Sequence, residues 1–452
     1  MANPLALLIG KSLKVASNLV EVALSTDAGN LLGLGSDNAP YFGVTTASVD
    51  IDATTPAPAV ATQFLWSTLL GCYMRWNGSS WQQATMATNN ITITETGGSG
   101  SNAWLVAAIA KALRYTTANG VTVTVQLSAA SYTATSVADY NFTDGDFSNI
   151  IIQGAPSTTT TLVSCGSATL VSGTTYNVTF TLASVTGFVV GQYVGLSVIN
   201  GAAGYWANLN GLWPITAVNS GANTITVQVR VQTGTSLAAQ SSLTGTAITW
   251  TSILYTQYGV QFVGRNVKSL TDFMIIQQGV PTAGTSGLTI DGKDAVANIS
   301  NVGIYGFSTN GSAMALYVAH GGRVGVSGLY ASFCGSGIFL DQGATFDGWA
   351  VLSSFAPAGS GLTGWGVDIY RLARFRVTDQ RMAAINCQWG VNLNVLSEIY
   401  IEAAVSYKIG GTSGGMQAWN NCIAEGNGYI ANIGTCSPTR GTFGNNASAI
   451  YS

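Results

Sequence analysis

The feature that most constrains this chain is a repeat of short apolar pairs. One series runs Phe273/Ile275, Val302/Ile304, Val324/Val326, Trp349/Val351, Phe375/Val377 and Ile399/Ile401, at offsets of 29, 22, 25, 26 and 24. Asn421/Ile423 follows at an offset of 22 with a poorer fit. A second series lies between them: Leu288/Ile290, Leu316/Val318, Ile338/Leu340, Val367/Ile369 and Val391/Leu393, at offsets of 28, 22, 29 and 24. Each pair alternates with an intervening residue, which is the period of a strand. Two interleaved series at one spacing predict two sheets of a single coil, with glycines at the corners. Such rungs cannot bury their faces alone, and stacking completes the core. The predicted fold class is therefore all-β: a single-stranded parallel β-helix of about 24 residues per rung, with about seven rungs over residues 260–430. A β-sandwich is the competing fold, but it would not produce two phase-locked series.

Alternation then assigns the outward positions. In the second series these are Thr289/Asp291, Tyr317/Ala319, Phe339/Asp341, Asp368/Tyr370 and Asn392/Asn394. In the first they include Arg323, Arg374/Arg376 and Glu398/Tyr400/Glu402. Rungs stack about 4.8 Å apart, so Arg374 is expected over Glu398 and Arg376 beside Tyr400. Asp341 and Asp368 form the candidate catalytic pair, as diagonal neighbours roughly 6–8 Å apart on a solvent-facing patch. Carboxylates about 5–5.5 Å or 6.5–9.5 Å apart are what retaining or inverting glycosidases need. Phe339 and Tyr370 flank the pair. With Tyr317 and Trp206 they are the candidate ligand-binding residues, because aromatic faces suit the flat faces of sugars. Asp347 could join the pair. Asp291 and Asp294 bracket a Gly-Lys turn and read as an ordinary loop. A lyase would need a cation near a uronate, for which Lys293 and Arg323 are the available groups. The same patch reads equally as a contact between subunits.

The rest of the chain divides by pattern. Residues 1–96 form an N-terminal module in which FLWSTLLGCYMRWNGSSWQQA reads as a hairpin turning at Asn77-Gly78. Its Trp66, Tyr73, Trp76 and Trp81 are expected to pack one face. GGSGS at 97–101 is a break, and residues 97–159 hold the one clear helix signal, over 102–119, capped by Asn102 and ended at Gly120. That helix is placed to cover the N-terminal end of the stack, with VTVTVQL and NIIIQG following as strands. Residues 160–250 interrupt the repeat with antiparallel-looking strands and read as a small inserted or flanking β domain. Its GAAGYWANLNG loop carries Tyr205 and Trp206. Residues 251–430 hold the repeat, and 431–452 form a C-terminal tail.

Composition narrows the function. Gly is 55 of 452 residues, against 16 Lys plus Arg and 19 Asp plus Glu, for a formal charge of -3. There are too few basic residues for a nucleic-acid surface. The six cysteines have no close paired spacing, so core thiols are expected rather than a disulfide framework. His320 is the single histidine, which excludes a zinc site built on histidine clusters. No cofactor is expected. The apolar opening is interrupted by Lys11 and Lys14 and lacks the pattern of a signal peptide, and no membrane insertion is expected.

The order of parts resembles bacteriophage tailspike and tail-fibre proteins with a right-handed, pectate-lyase-like parallel β-helix. NAWLVAAIAKAL resembles the helix that precedes the first rung in that family, and VTVTVQLSAASYTATS resembles its first coil. The resemblance covers about residues 100–430 and is one of order and period, with no diagnostic motif. It implies right-handedness, in keeping with crossover chirality. It further implies a homotrimer in the virion tail, attached to other tail or baseplate proteins through the N-terminal module, and binding a host surface glycan. Many members also cleave that glycan. The chain departs from the family over residues 160–250 and in its short tail. Whether it is an adhesin, a depolymerase (glycoside hydrolase or lyase), or a non-viral β-helix adhesin or secreted lyase stays open at this point.

Overall fold

The computed structural model describes the chain outside residues 1–12, 17–18, 23–31, 35–39, 43–45, 58–63, 97–99, 143–144, 202–205, 232–236, 280–284, 294, 309–312, 354–363, 403–407, 419–422, 427–447 and 452. Tyr205, Asp294, Asn421, Cys422 and Cys436 lie outside the described residues. Two compact units are present, one of Met1–Ile91 with Arg114–Val123, the other of Thr92–Leu113 with Thr124–Ser452.

In the first unit, Phe64–Ser67, Cys72–Trp76 and Trp81–Gln83 form an antiparallel meander. The turn at Asn77 is held by its side chain, whose Oδ1 accepts from the Ser79 and Ser80 amides at 2.9 and 2.8 Å. Trp66 meets Tyr73 edge to face, and Trp76 meets Trp81 in the same way, as aromatic cross-strand neighbours do. Residues just past the helix belong to this unit. Arg114 is ion-paired with Asp52, and the Tyr115 hydroxyl donates to Asp50.

Those contacts explain why the expected helix over 102–119 is shorter. It spans Asn102–Ala112, and its N-cap is Ser101, whose side chain accepts from the Trp104 amide. Leu105, Ala108, Ile109 and Ala112 are its buried face. The buried Glu95 carboxylate accepts from the Gly100 amide at 3.0 Å, from the Ser128 hydroxyl at 2.6 Å, and from the Tyr132 hydroxyl, which ties the start of the helix to the first strands of the second unit.

The repeat region is one hydrogen-bonded strand set built from three parallel ladders. The first ladder joins Val260–Val263, Leu288–Asp291, Met314–Ala319, Ser336–Leu340, Trp365–Tyr370 and the end of Ala383–Asn394. Leu288, Leu316, Ile338, Val367 and Val391 align in register and are buried, so the second apolar series is a single ladder. The first apolar series is two ladders. Val324, Phe346, Phe375 and Ile399 align in one. Ile275, Ile304, Ala331 and Leu352 align in the other.

The third ladder escapes notice in the sequence because it is fused to the second. Val296–Tyr305, Arg323–Ser332 and Thr345–Ser353 each run through a corner on one left-handed residue: Asn301 (φ 52°), Gly328 (φ 123°) and Gly348 (φ 140°). Asn and Gly are the residues that tolerate this conformation. At Gly348 a Cβ would also lie 1.8 Å from the Val326 carbonyl oxygen, so only glycine fits. Trp349 is buried, with Tyr330 edge-on at 5.7 Å and the Arg381 guanidinium 4.1 Å over its face.

Residues 158–249 are a separate body inserted between strands Phe147–Gln153 and Ile253–Thr256. The order is Thr158–Cys165, Leu243–Thr249, Tyr193–Gly201, Gly211–Asn219, Thr224–Arg230, Thr175–Leu182 and Thr169–Ser172. Thr158–Cys165 also pairs with Thr175–Leu182, which closes six of the seven strands into an antiparallel barrel. Its core includes Phe180, Leu196, Trp213, Ile225 and Val227. The barrel seats on the ladders through Tyr193 against Tyr305 and Trp213 against Phe333, and the Leu212 amide donates to the Ser332 hydroxyl at 2.9 Å.

The expected fold class, a right-handed single-stranded parallel β-helix of about 24 residues per rung with an N-terminal capping helix and a small inserted or flanking β domain, is therefore corrected. Three ladders replace two series. The spacing is uneven, since the step from Arg323 to its partner Thr345 is markedly shorter than the step from Thr345 to Arg374. A closed six-stranded barrel is a second architecture within the same chain.

Candidate functional site

The first ladder carries a column of polar and aromatic side chains on alternate positions. Thr289, Tyr317, Phe339, Asp368, Asn392 and Gln417 are successive register partners. Tyr317 and Phe339 stack at 5.7 Å between centroids with planes 21° apart, and Phe339 and Tyr370 stack at 6.4 Å and 25°. All three rings are half-buried. Strand pairing creates the Tyr317–Phe339 stack, because rings in register on parallel strands sit one rung apart, whereas Tyr370 lies two residues past Asp368, the register partner of Phe339, and reaches it diagonally.

The two candidate carboxylates are not solvent-facing as expected. Asp341 is 2% exposed and Asp368 is 3% exposed. Asp341 is clamped by Arg371, with Nε donating to Oδ1 at 2.6 Å and Nη2 donating to Oδ2. Arg371 also lies over the Tyr370 ring at 5.7 Å. Asp368 Oδ1 accepts from Asn392 Nδ2 at 2.7 Å, and Asn392 Oδ1 in turn accepts from Gln417 Nε2 at 2.8 Å. Burial pushes the Asp368 carboxyl up to about 7, the Asp341 charge adds to that rise, and the Asn392 bond opposes it. The bidentate arginine and the amide relay are partners that alternation does not reveal.

Arg371 is the partner of the candidate site that sequence reasoning missed. It follows Asp341 by a rung's length, in the corner just past Tyr370. A search for opposite charges one rung apart would have found it. Trp206 is not brought to this column. It lies in the short turn Trp206–Leu209 and packs against the barrel core. Asp347 likewise serves elsewhere, pairing with Arg376 at 3.3 Å, while Arg376 also binds Glu402 at 2.6 Å. Arg374 pairs with Glu398 at 3.0 Å, the rung neighbour that spacing predicts. Asp291 contacts His320. Among the described residues no group of three His, Cys, Asp or Glu could hold a metal ion, and no helix is long and apolar enough to cross a membrane.

The chain matches no protein-family model and no curated protein sequence. Three solved structures are similar to parts of it. The gp54 tailspike of Acinetobacter baumannii bacteriophage AP22, solved in complex with A. baumannii capsular saccharide, is 10% identical over 74% of this chain and 65% of its own length, with a TM-score of 0.16. The gp61 tailspike of Pseudomonas phage phi297 is 13% identical over 68% of this chain and 63% of its own, with a TM-score of 0.17. The gp49 tailspike of Pseudomonas phage LKA1 is 13% identical over 74% of this chain and 69% of its own, with a TM-score of 0.16. This chain thus spans about two thirds of the length of each.

Proposed function

We propose that this chain is a phage tail protein, a tailspike or tail fibre, that binds a bacterial surface polysaccharide through the first ladder. The observation that carries the reading is the stack of Tyr317, Phe339 and Tyr370 on three consecutive rungs, half-exposed and bordered by carboxylates. Rings at rung spacing offer apolar area to the flat faces of successive sugars. The tail setting, the homotrimer and attachment through residues 1–96 come from the resemblance in sequence order. Light scattering is expected to give the mass of three 46.6 kDa chains, and a mass of one chain would remove the trimer.

Binding without cleavage is the form the geometry favours. A glycosidase needs two carboxylates free to act, and both Asp341 oxygens are already held by Arg371. A depolymerase is the second reading, favoured by Asp368, whose carboxyl retains a proton near neutral pH as a general acid must. A panel of bacterial capsular and envelope polysaccharides tests both. The parent chain is expected to retain at least one polysaccharide and leave its length unchanged. The Phe339→Ala/Tyr370→Ala variant is expected to bind it at least tenfold more weakly. Shortened polysaccharide would select the depolymerase, and unchanged binding by the double variant would remove the aromatic site.

A further inference from the structure

A groove of about 550 Å³ runs along the corner between the first and second ladders. One wall is the column Arg323, Thr345, Arg374 and Glu398, which are register partners on successive rungs. The opposite wall and floor are the stacked turns, with Lys293, Gly321, Gly343, Leu372 and Leu396 at successive levels. The amides of Arg323, Thr345, Arg374 and Glu398 each donate to a carbonyl one rung back, at 2.8–2.9 Å, so the spacing of the wall is fixed by backbone.

Three features point to a ligand. The described lining carries three cations, Lys293, Arg323 and Arg374, against one carboxylate, Glu398, while the whole chain is formally -3. Glu398 is taken by Arg374, leaving the excess positive charge at the Lys293 and Arg323 end. The turns themselves are strained where they line the groove. Leu372 (φ 65°) and Leu396 (φ 58°) are left-handed, bulky and exposed, which costs stability and exposes apolar area. Gly343 has nothing within 4 Å of a would-be Cβ, so the floor is open there.

We propose that this corner is an anion-reading subsite for a polysaccharide that carries a carboxylate on alternate sugars. The inference rests on the polysaccharide-binding reading and adds the chemical class of the chain. Arg323 and Arg374 lie two rungs apart, roughly 10 Å. One sugar of an extended chain is comparable in length to one rung, so two sugars span the arginines. Guanidinium groups hold carboxylates by paired hydrogen bonds, and the two exposed leucines meet sugar faces.

The test uses the full chain and a hyaluronan octasaccharide, which has one glucuronate per disaccharide, beside its carboxyl methyl ester. Calorimetry is run at low and at raised salt. The acid form is expected to bind at least tenfold more tightly than the ester, and salt is expected to weaken it. Arg323→Ala/Arg374→Ala, at two exposed positions, is expected to abolish that preference. Equal affinity for acid and ester, no binding of the acid, or a preference that survives in the double variant would each overturn the subsite. The Phe339→Ala/Tyr370→Ala variant is expected to keep the acid-to-ester ratio. A ratio that vanishes with the rings would move charge reading to the aromatic column and overturn the groove, whereas failure of the aromatic site shows as unchanged affinity for the panel polysaccharides.

Discussion

Ile401→Asp is expected to unfold the C-terminal rungs. Ile401 is fully buried, on the strand Glu398–Ile401, with Val377 and Gly426 as register partners on either side. Neither partner has a side chain that can donate a hydrogen bond. Removing a buried isoleucine side chain costs roughly 2–5 kcal/mol. Placing an unsatisfied carboxyl there adds about 1–3 kcal/mol more, even if it protonates. Against a total stability of about 5–15 kcal/mol, that is enough to release the rungs that stack on this one. Thermal melting with limited proteolysis reads the effect. Glu402→Ala, one residue on, removes only a half-exposed partner of Arg376 and is expected to cost at most about 1 kcal/mol. If Ile401→Asp melts with the parent, the burial of this ladder is wrong.

The contrast between those neighbours was legible in the sequence, because period-2 alternation needs no tertiary information. The register of Leu288, Leu316, Ile338, Val367 and Val391 was legible for the same reason. The third ladder was not. A single left-handed residue turns the chain without the glycine and proline clusters that usually mark a corner, so Val302/Ile304 and Val324/Val326 fall into one series although they lie in different ladders. Asn301 and Asp272 (φ 60°) were nonetheless available as signals, being polar residues between apolar runs at corresponding places on successive rungs. The barrel closure was hidden differently. Thr158–Cys165 divides its pairing between Leu243–Thr249 and Thr175–Leu182, and no local pattern encodes a strand that serves two neighbours.

The site shows the same division. Alternation brought Tyr317, Phe339, Asp368 and Tyr370 to one face, since position along a strand decides that. It could not state depth. Asp341 and Asp368 lie on outward positions yet are buried, because burial depends on what the corner arginine and the next rung's amide do. The helix end was misjudged for a related reason: propensity favoured continuing to Gly120, and the contacts of Arg114 and Tyr115 with Asp52 and Asp50 prevailed.

Asp368→Asn is expected to stabilise the protein at pH 8 and to flatten its stability profile below that. The folded carboxyl titrates at about 7, above the ordinary 3.8, chiefly because burial penalises its charged form. Folding therefore favours the protonated acid. The associated stability is fully present below about pH 3.8 and is lost progressively as pH rises from there through 7. The difference between those limits corresponds to on the order of 4 kcal/mol. Asparagine is neutral throughout and keeps the oxygen that accepts from Asn392, so the column loses its titrating group without losing that bond. The measurement is the melting midpoint of parent and variant at pH 4, 6 and 8. The gap in favour of the variant should be small at pH 4, well open at pH 6 and largest at pH 8. A variant that tracks the parent at all three values would mean that the Asp368 carboxylate is solvated, and the general-acid reading of this residue would fall with it.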